Sequence, residues 1–285
     1  MHSDESYAQI RLWSEQSLLL LRELLPEMAP IGQYAGWTSA ERETIAHIFC
    51  ACARASESAL LLLAYGQLWD AEVVVRSVAE GALKVCYLLQ HEEFFKQRHQ
   101  EYAIDLFEIG LLKKHRKADE LLSVLGYPQD KEWRPIWDMI LDSDAVERIS
   151  REYPRATRAS LEGRWGFTGL LNELKRSGDP LFNNVAALAY GYSIASHVQH
   201  ADAIGVSLPF DREKRSNERG KPMQLAHAAR LISDVFTYFY VRMAVSYRFL
   251  KFDAKILDHV RIRIEDFEKC FNGYYGDWVG VEYPE

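Results

Sequence analysis

Apolar residues recur along most of this chain at intervals of three and four, the spacing that keeps one face of an α-helix buried. From about Asp4 to Leu25 the stripe is Ile10, Leu18, Leu21, Leu24 and Leu25, with Ser3 or Asp4 able to cap the start and Pro26 stopping the run. Met28–Thr38 holds Pro30, Gly32 and Gly36 and is expected to be a loop. A second helix should open at Ser39, place Glu41 and Glu43 at the positive end of its dipole, and close near Gly66. The third, about Asp70–Leu89, is apolar almost all round, which marks a central helix.

Further on, Glu92–Leu125 is expected to form one long helix, broken by Gly126 and Pro128. Residues 129–165 are polar, carry tryptophans, and contain Pro135 and Pro154, so short helices are expected there. A short helix at 167–177 precedes a helix over 179–204, where Pro180 takes the favoured first position and which Gly205 and Pro209 should end. The polar stretch 206–222 should be a mobile loop, followed by helices over Pro222–Phe252 and Ala254–Phe271. The fold class implied is all-α: a multi-helix bundle with a short-helix insertion. Its expected parts are an N-terminal helix and loop (1–38), a core helical domain (39–205, insertion about 126–166), and a loop with C-terminal helices packed on the core (206–285).

Charge and cysteine content narrow the function classes. With 34 basic and 41 acidic residues the net charge is −7, which argues against a general affinity for nucleic-acid backbone. The local exceptions are Lys113–Lys117 and the 206–222 stretch, which offer a surface to an RNA or protein partner. A homodimer is compatible with everything in the chain. Four cysteines without a C-x-x-C pair speak against a thiolate zinc site or a disulfide framework. The start lacks the pattern of a secretory signal, and the longest apolar run, Ala59–Tyr65, is too short for a bilayer; the expectation is a cytoplasmic protein without a membrane partner.

Polar residues on otherwise apolar helices are the candidate chemistry. Tyr192, Ser196 and His200 recur every fourth residue and share a face of the 179–204 helix. Arg76 and Glu80 form a matching pair on the third helix, and a charge on a buried helix must be paired. If these faces meet in the core, His200 can act as general acid or base, with Ser196 one turn away and Arg76 or Glu80 opposite. The plainer alternative is a buried hydrogen-bond network that fixes helix register. His197, His200 and Asp202 have a spacing that could face a metal, but Glu-x-x-His, which di-iron bundles need, does not occur. No cofactor fingerprint or phosphate loop is found either, so neither cofactor nor metal is expected.

Arg76-Ser77-x-x-Glu80 after the glycine turn at Gly66, and Tyr192 before Ser196-x-x-x-His200, resemble an uncharacterised, mostly bacterial helical family known only as a domain of unknown function. The resemblance covers roughly residues 50–205. It implies a helical fold with these polar residues converging, and no known reaction. A more distant similarity is to the HEPN ribonucleases, whose signature is Arg, four to six residues, then His; Arg42 and His47 fit it. That spacing is common by chance in a chain with 22 arginines and 9 histidines, and here it lies early in the chain. Two functions remain. One is a helical interaction or effector protein, placed by these resemblances in bacterial stress or phage defence. The other is a metal-independent, HEPN-like ribonuclease with a histidine as general acid/base.

Overall fold

The computed structural model describes residues 4–183 and 187–284. Ser3, a candidate cap, and residues 184–186 of the expected 179–204 helix lie outside them. Among the described residues every regular element is helical, so the all-α reading holds. By internal contacts the chain forms two compact units, Met1–Gln90 with Leu174–Glu285, and His91–Glu173.

The first unit begins with α1 (Asp4–Leu24), the short α2 (Ala29–Gln33) where a loop was expected, α3 (Ser39–Ala64) and α4 (Leu68–Leu88). Thr38 caps α3: its hydroxyl accepts the Glu41 N–H, and the Glu41 carboxylate accepts the Thr38 N–H. This reciprocal box satisfies two of the donors a helix start leaves open. Gly66 ends α3 in the left-handed region at φ +73°, where its N–H reaches the Leu63 carbonyl. By length and composition α3 could cross a membrane. Here Ile45, Ile48, Cys52, Ala59 and Leu63 are buried, and the helix packs on α1 and α4.

The second unit holds α5 (Glu92–Gln100), α6 (Leu106–Val124), α7 (Arg134–Trp137), α8 (Ser143–Glu152) and α9 (Arg155–Trp165). Its core joins Ile109 and Leu112 of α6 to Ile149, Tyr153 and Leu161. The expected long helix over 92–125 is interrupted by a π-helical turn, Glu101–Asp105, the wide turn that helices use to re-aim side chains. Glu101 is buried, accepting from Arg164 Nη1 (2.6 Å), Trp165 Nε1 (2.9 Å) and Gln97 Nε2 (3.0 Å). A carboxylate so saturated is a structural tie.

α10 (Phe167–Arg176) carries the chain to the closing helices of the first unit: α11 (Leu188–His200), α12 (Ala203–Glu213), α13 (Asn217–Leu250), α14 (Lys255–Glu268) and α15 (Tyr274–Glu282). The expected helix over 179–204 is thus a 3-10 turn at Pro180–Phe182 and then α11, which Ala201 ends at φ 47°. Gly205 does not end that helix. It lies in the first turn of α12, where any Cβ would come within 2.0 Å of the His197 carbonyl oxygen. Nor is 206–222 a mobile loop: α12 and the start of α13 occupy it. α13 is the central helix, 34 residues long, packed on α4, α1, α14 and α15, with Leu231, Ile232, Phe236 and Phe239 fully buried. Arg242 is buried among them at 1% exposure. Its side chain meets the Cys52 thiol, while Nε and Nη1 have no partner.

Candidate functional site

Three of the five sequence-derived candidates come together. Arg76 and Glu80 sit one turn apart on α4, and α11 packs across them. Arg76 Nη2 donates to the Tyr192 hydroxyl at 2.6 Å, Tyr192 donates to Glu80 Oε1 at 2.9 Å, and Arg76 Nε reaches the same oxygen at 3.2 Å. The guanidinium also lies over the Tyr192 ring, 4.1 Å from its centroid, a cation–π contact. Burial, and then the hydrogen bond to Glu80, push the Tyr192 pKa up, so its phenol stays a donor.

Burial differs from the expectation. Arg76 is 15% exposed and Glu80 33%, so the triad lies at the edge of the core. Ser196 is half-buried, and His200 is exposed in the last turn of α11. The i,i+4 face does not stay inside because α11 ends at His200 and the chain turns out. His197 and Asp202 do pair, Nδ1 to Oδ2 at 2.6 Å. Asp202 also caps α12, its Oδ1 accepting the Ile204 and Gly205 N–H groups. Arg42 and His47 are both exposed on α3.

The stronger cluster lies where α4, α11, α12, α13 and α15 of the same unit surround a cavity of about 420 Å³. Such a volume falls within the ~300–1,000 Å³ typical of small-molecule sites. At its inner wall Glu72 is 3% exposed, and its Oε2 takes His227 Nε2 at 2.7 Å and Arg230 Nη2. Arg230 Nη1 continues to Asp234 at 2.8 Å. On the other side of the ring, Arg212 Nη1 lies 3.4 Å from His227 Nδ1. A guanidinium can only donate, so Nδ1 must be an acceptor and the proton of a neutral ring must sit on Nε2, facing Glu72.

The electrostatics agree with that assignment. Burial lowers the His227 pKa, and the Glu72 hydrogen bond and charge only partly oppose it. Burial alone would raise the Glu72 pKa, but the His227 hydrogen bond and the Arg230 charge more than offset it and hold the carboxyl ionised. Burial lifts Asp234 to about 6, with Arg230 opposing and the Glu72 charge adding.

Arg212 differs from its neighbours. It is half-buried, stacks over Trp69 with its guanidinium carbon 4.7 Å from the ring centroid, and has no carboxylate partner among the described residues. Burial, and then the charge of Arg215, depress its pKa. Arg215 and Arg219 are tied instead to Glu282 of α15, at 2.6 and 2.9 Å. Arg212 and Arg215 therefore line this ordered site, Arg219 is tied to it through Glu282, and Lys221 pairs with Glu5. The other basic run, on α6, is exposed at Lys114, Arg116 and Lys117, while Lys113 pairs with Glu162.

Sequence reasoning passed over Glu72, His227, Arg230 and Asp234, and met Arg212 only as one of the basic residues of the 206–222 stretch. A signal existed: His227, Arg230 and Asp234 stand at i, i+3 and i+7 on a helix whose interleaved residues are apolar apart from Ser233. The partners, Glu72 and Arg212, lie 155 and 15 residues from His227, and only the fold joins them.

The fold and site define an all-α protein with an arginine-lined, aromatic-walled cavity. No protein-family model, curated protein or solved structure matches the chain.

Proposed function

We propose that this chain is a helical interaction or effector protein whose state is set by a small anionic ligand held in the cavity at Arg212, Arg215 and Arg230. The observation that carries the reading is Arg212, a half-buried guanidinium facing a cavity with no carboxylate in contact with it among the described residues. A cation withdrawn from water at a cost is most simply explained by an anion that arrives later. A place in bacterial stress or phage defence follows from the helical resemblance alone.

The ribonuclease alternative needs an imidazole free to exchange a proton with substrate. Both ring nitrogens of His227 are engaged; His47 and His200 are exposed and free to exchange protons, but neither lines the cavity where the arginines gather. The test is thermal unfolding with inorganic pyrophosphate, against sodium chloride of equal ionic strength. Pyrophosphate should raise the melting midpoint of the wild type and leave Arg212→Met unmoved, since a ligand at 100 times its Kd adds about 2.7 kcal/mol. Equal shifts in both proteins would reject the site. RNA cleavage lost in His47→Gln or His200→Gln would instead support the nuclease.

A further inference from the structure

We infer that the ligand of this cavity is an aromatic anion: a planar ring joined to a phosphate or carboxylate group. The inference rests on the anion-site reading above and adds the ring. Two donor groups of the cavity lining have no acidic acceptor among the described residues. Arg212 lacks a carboxylate, and the buried Trp278 indole N–H has no partner. The acidic groups in the wall are already occupied, Glu72 by His227 and Arg230, and Glu282 by Arg215 and Arg219. Such a lining selects an acceptor-rich guest and offers little to a cation or a polyol.

The rest of the lining is aromatic. Tyr190 of α11 is 77% exposed, and Tyr275 and Tyr283, flanking Trp278, are 62% and 67% exposed. Trp278 meets Tyr275 and Tyr283 edge-on, at 5.4 and 6.2 Å between centroids and interplanar angles of 62° and 76°. Edge-on packing leaves ring faces uncovered, and uncovered rings grouped at one cavity are where a planar guest gains most from stacking. The anionic group meets Arg212 on the cavity wall while the ring lies against these tyrosines. A nucleoside monophosphate and an aryl carboxylate both satisfy this chemistry.

Calorimetric titration of the full chain separates the possibilities with five probes: adenosine and uridine monophosphates, indole-3-acetate, ribose 5-phosphate and inorganic pyrophosphate. At least one ring-bearing probe should bind about tenfold or more tightly than ribose 5-phosphate, since base–aromatic stacking alone supplies that factor. Preference for the monophosphates or for indole-3-acetate then names the source of the ring. Tyr275→Ala, an exposed position, should remove that advantage and leave pyrophosphate binding unchanged. Ring-free probes binding as tightly as ring-bearing ones would overturn the aromatic inference and keep the anion site. Absence of binding by all five would overturn both.

Discussion

The decisive residues are cations that the fold takes out of water. Arg212 and Arg242 both lack a carboxylate, yet they stand in different places: one lines a cavity, the other is sealed in the core beside Cys52. Arg242→Met should therefore stabilise the protein, because it removes a buried charge and two donors without partners, read as a higher urea midpoint. Glu72→Gln should act oppositely. It leaves Arg230 with Asp234 alone and gives the His227 N–H a neutral amide oxygen in place of a carboxylate, and should cost about 1–3 kcal/mol in the same assay. The Arg76–Tyr192–Glu80 triad is nearer water, so Tyr192→Phe should cost only about 1 kcal/mol. The pair Arg76–Glu80 was legible from its i,i+4 spacing on an apolar helix. The fate of His200 was not, because it depends on α11 ending at that residue.

Protonation gives a second residue-scale test. His227 has a lowered folded pKa, so below its ordinary value near 6.5 the unfolded chain takes a proton that the folded chain refuses, and stability falls with acid. The lowered Glu72 pKa works in the same direction at lower pH: its contribution is lost as pH falls through the folded value. Asp234 opposes both. Its folded pKa of about 6 lies above the ordinary aspartate value of 3.8, so stability is recovered as pH falls through 6. Asp234→Asn removes that opposing contribution, and its melting midpoint should drop more steeply than the wild type's between pH 6 and 4. A parallel drop would show that Asp234 titrates normally.

At the scale of elements, caps and breakers were read well where chemistry is local and poorly where packing decides. Gly66 ends α3 as its lack of a Cβ suggests, and the acids at 41 and 43 announce the start of that helix. Gly205 and Pro209 look like helix breakers in sequence, yet both lie within α12, because the chain reverses at Ala201 and Asp202 caps a new helix. The close approach of Gly205 to the His197 carbonyl makes this corner specific. Gly205→Ala should force α11 and α12 apart, costing about 1–3 kcal/mol by thermal unfolding, against the small gain expected for alanine inside an unstrained helix. The π turn at Glu101–Asp105 had no sequence signature, since it shares the residues and periodicity of an ordinary helix.

On the scale of the whole molecule, apolar periodicity was enough to give the fold class but not the partition of the chain. The second unit starts at His91, well before the glycine and proline break near 126 that suggested an insertion. Contacts between segments far apart in sequence set that boundary, and a single chain does not display them. The same is true of the site, which joins α4, α12 and α13. If its cations await an anion, the effect should be local to two of the seven tryptophans, Trp69 and Trp278, which line the cavity. The direct measurement is the shift of the assigned indole N–H resonances as pyrophosphate is added at fixed ionic strength. The account predicts saturable shifts for Trp69 and Trp278 and none for Trp37, whose indole is held by the Ile31 carbonyl. Unmoved Trp69 and Trp278 signals, or equal drift of all seven, would contradict it.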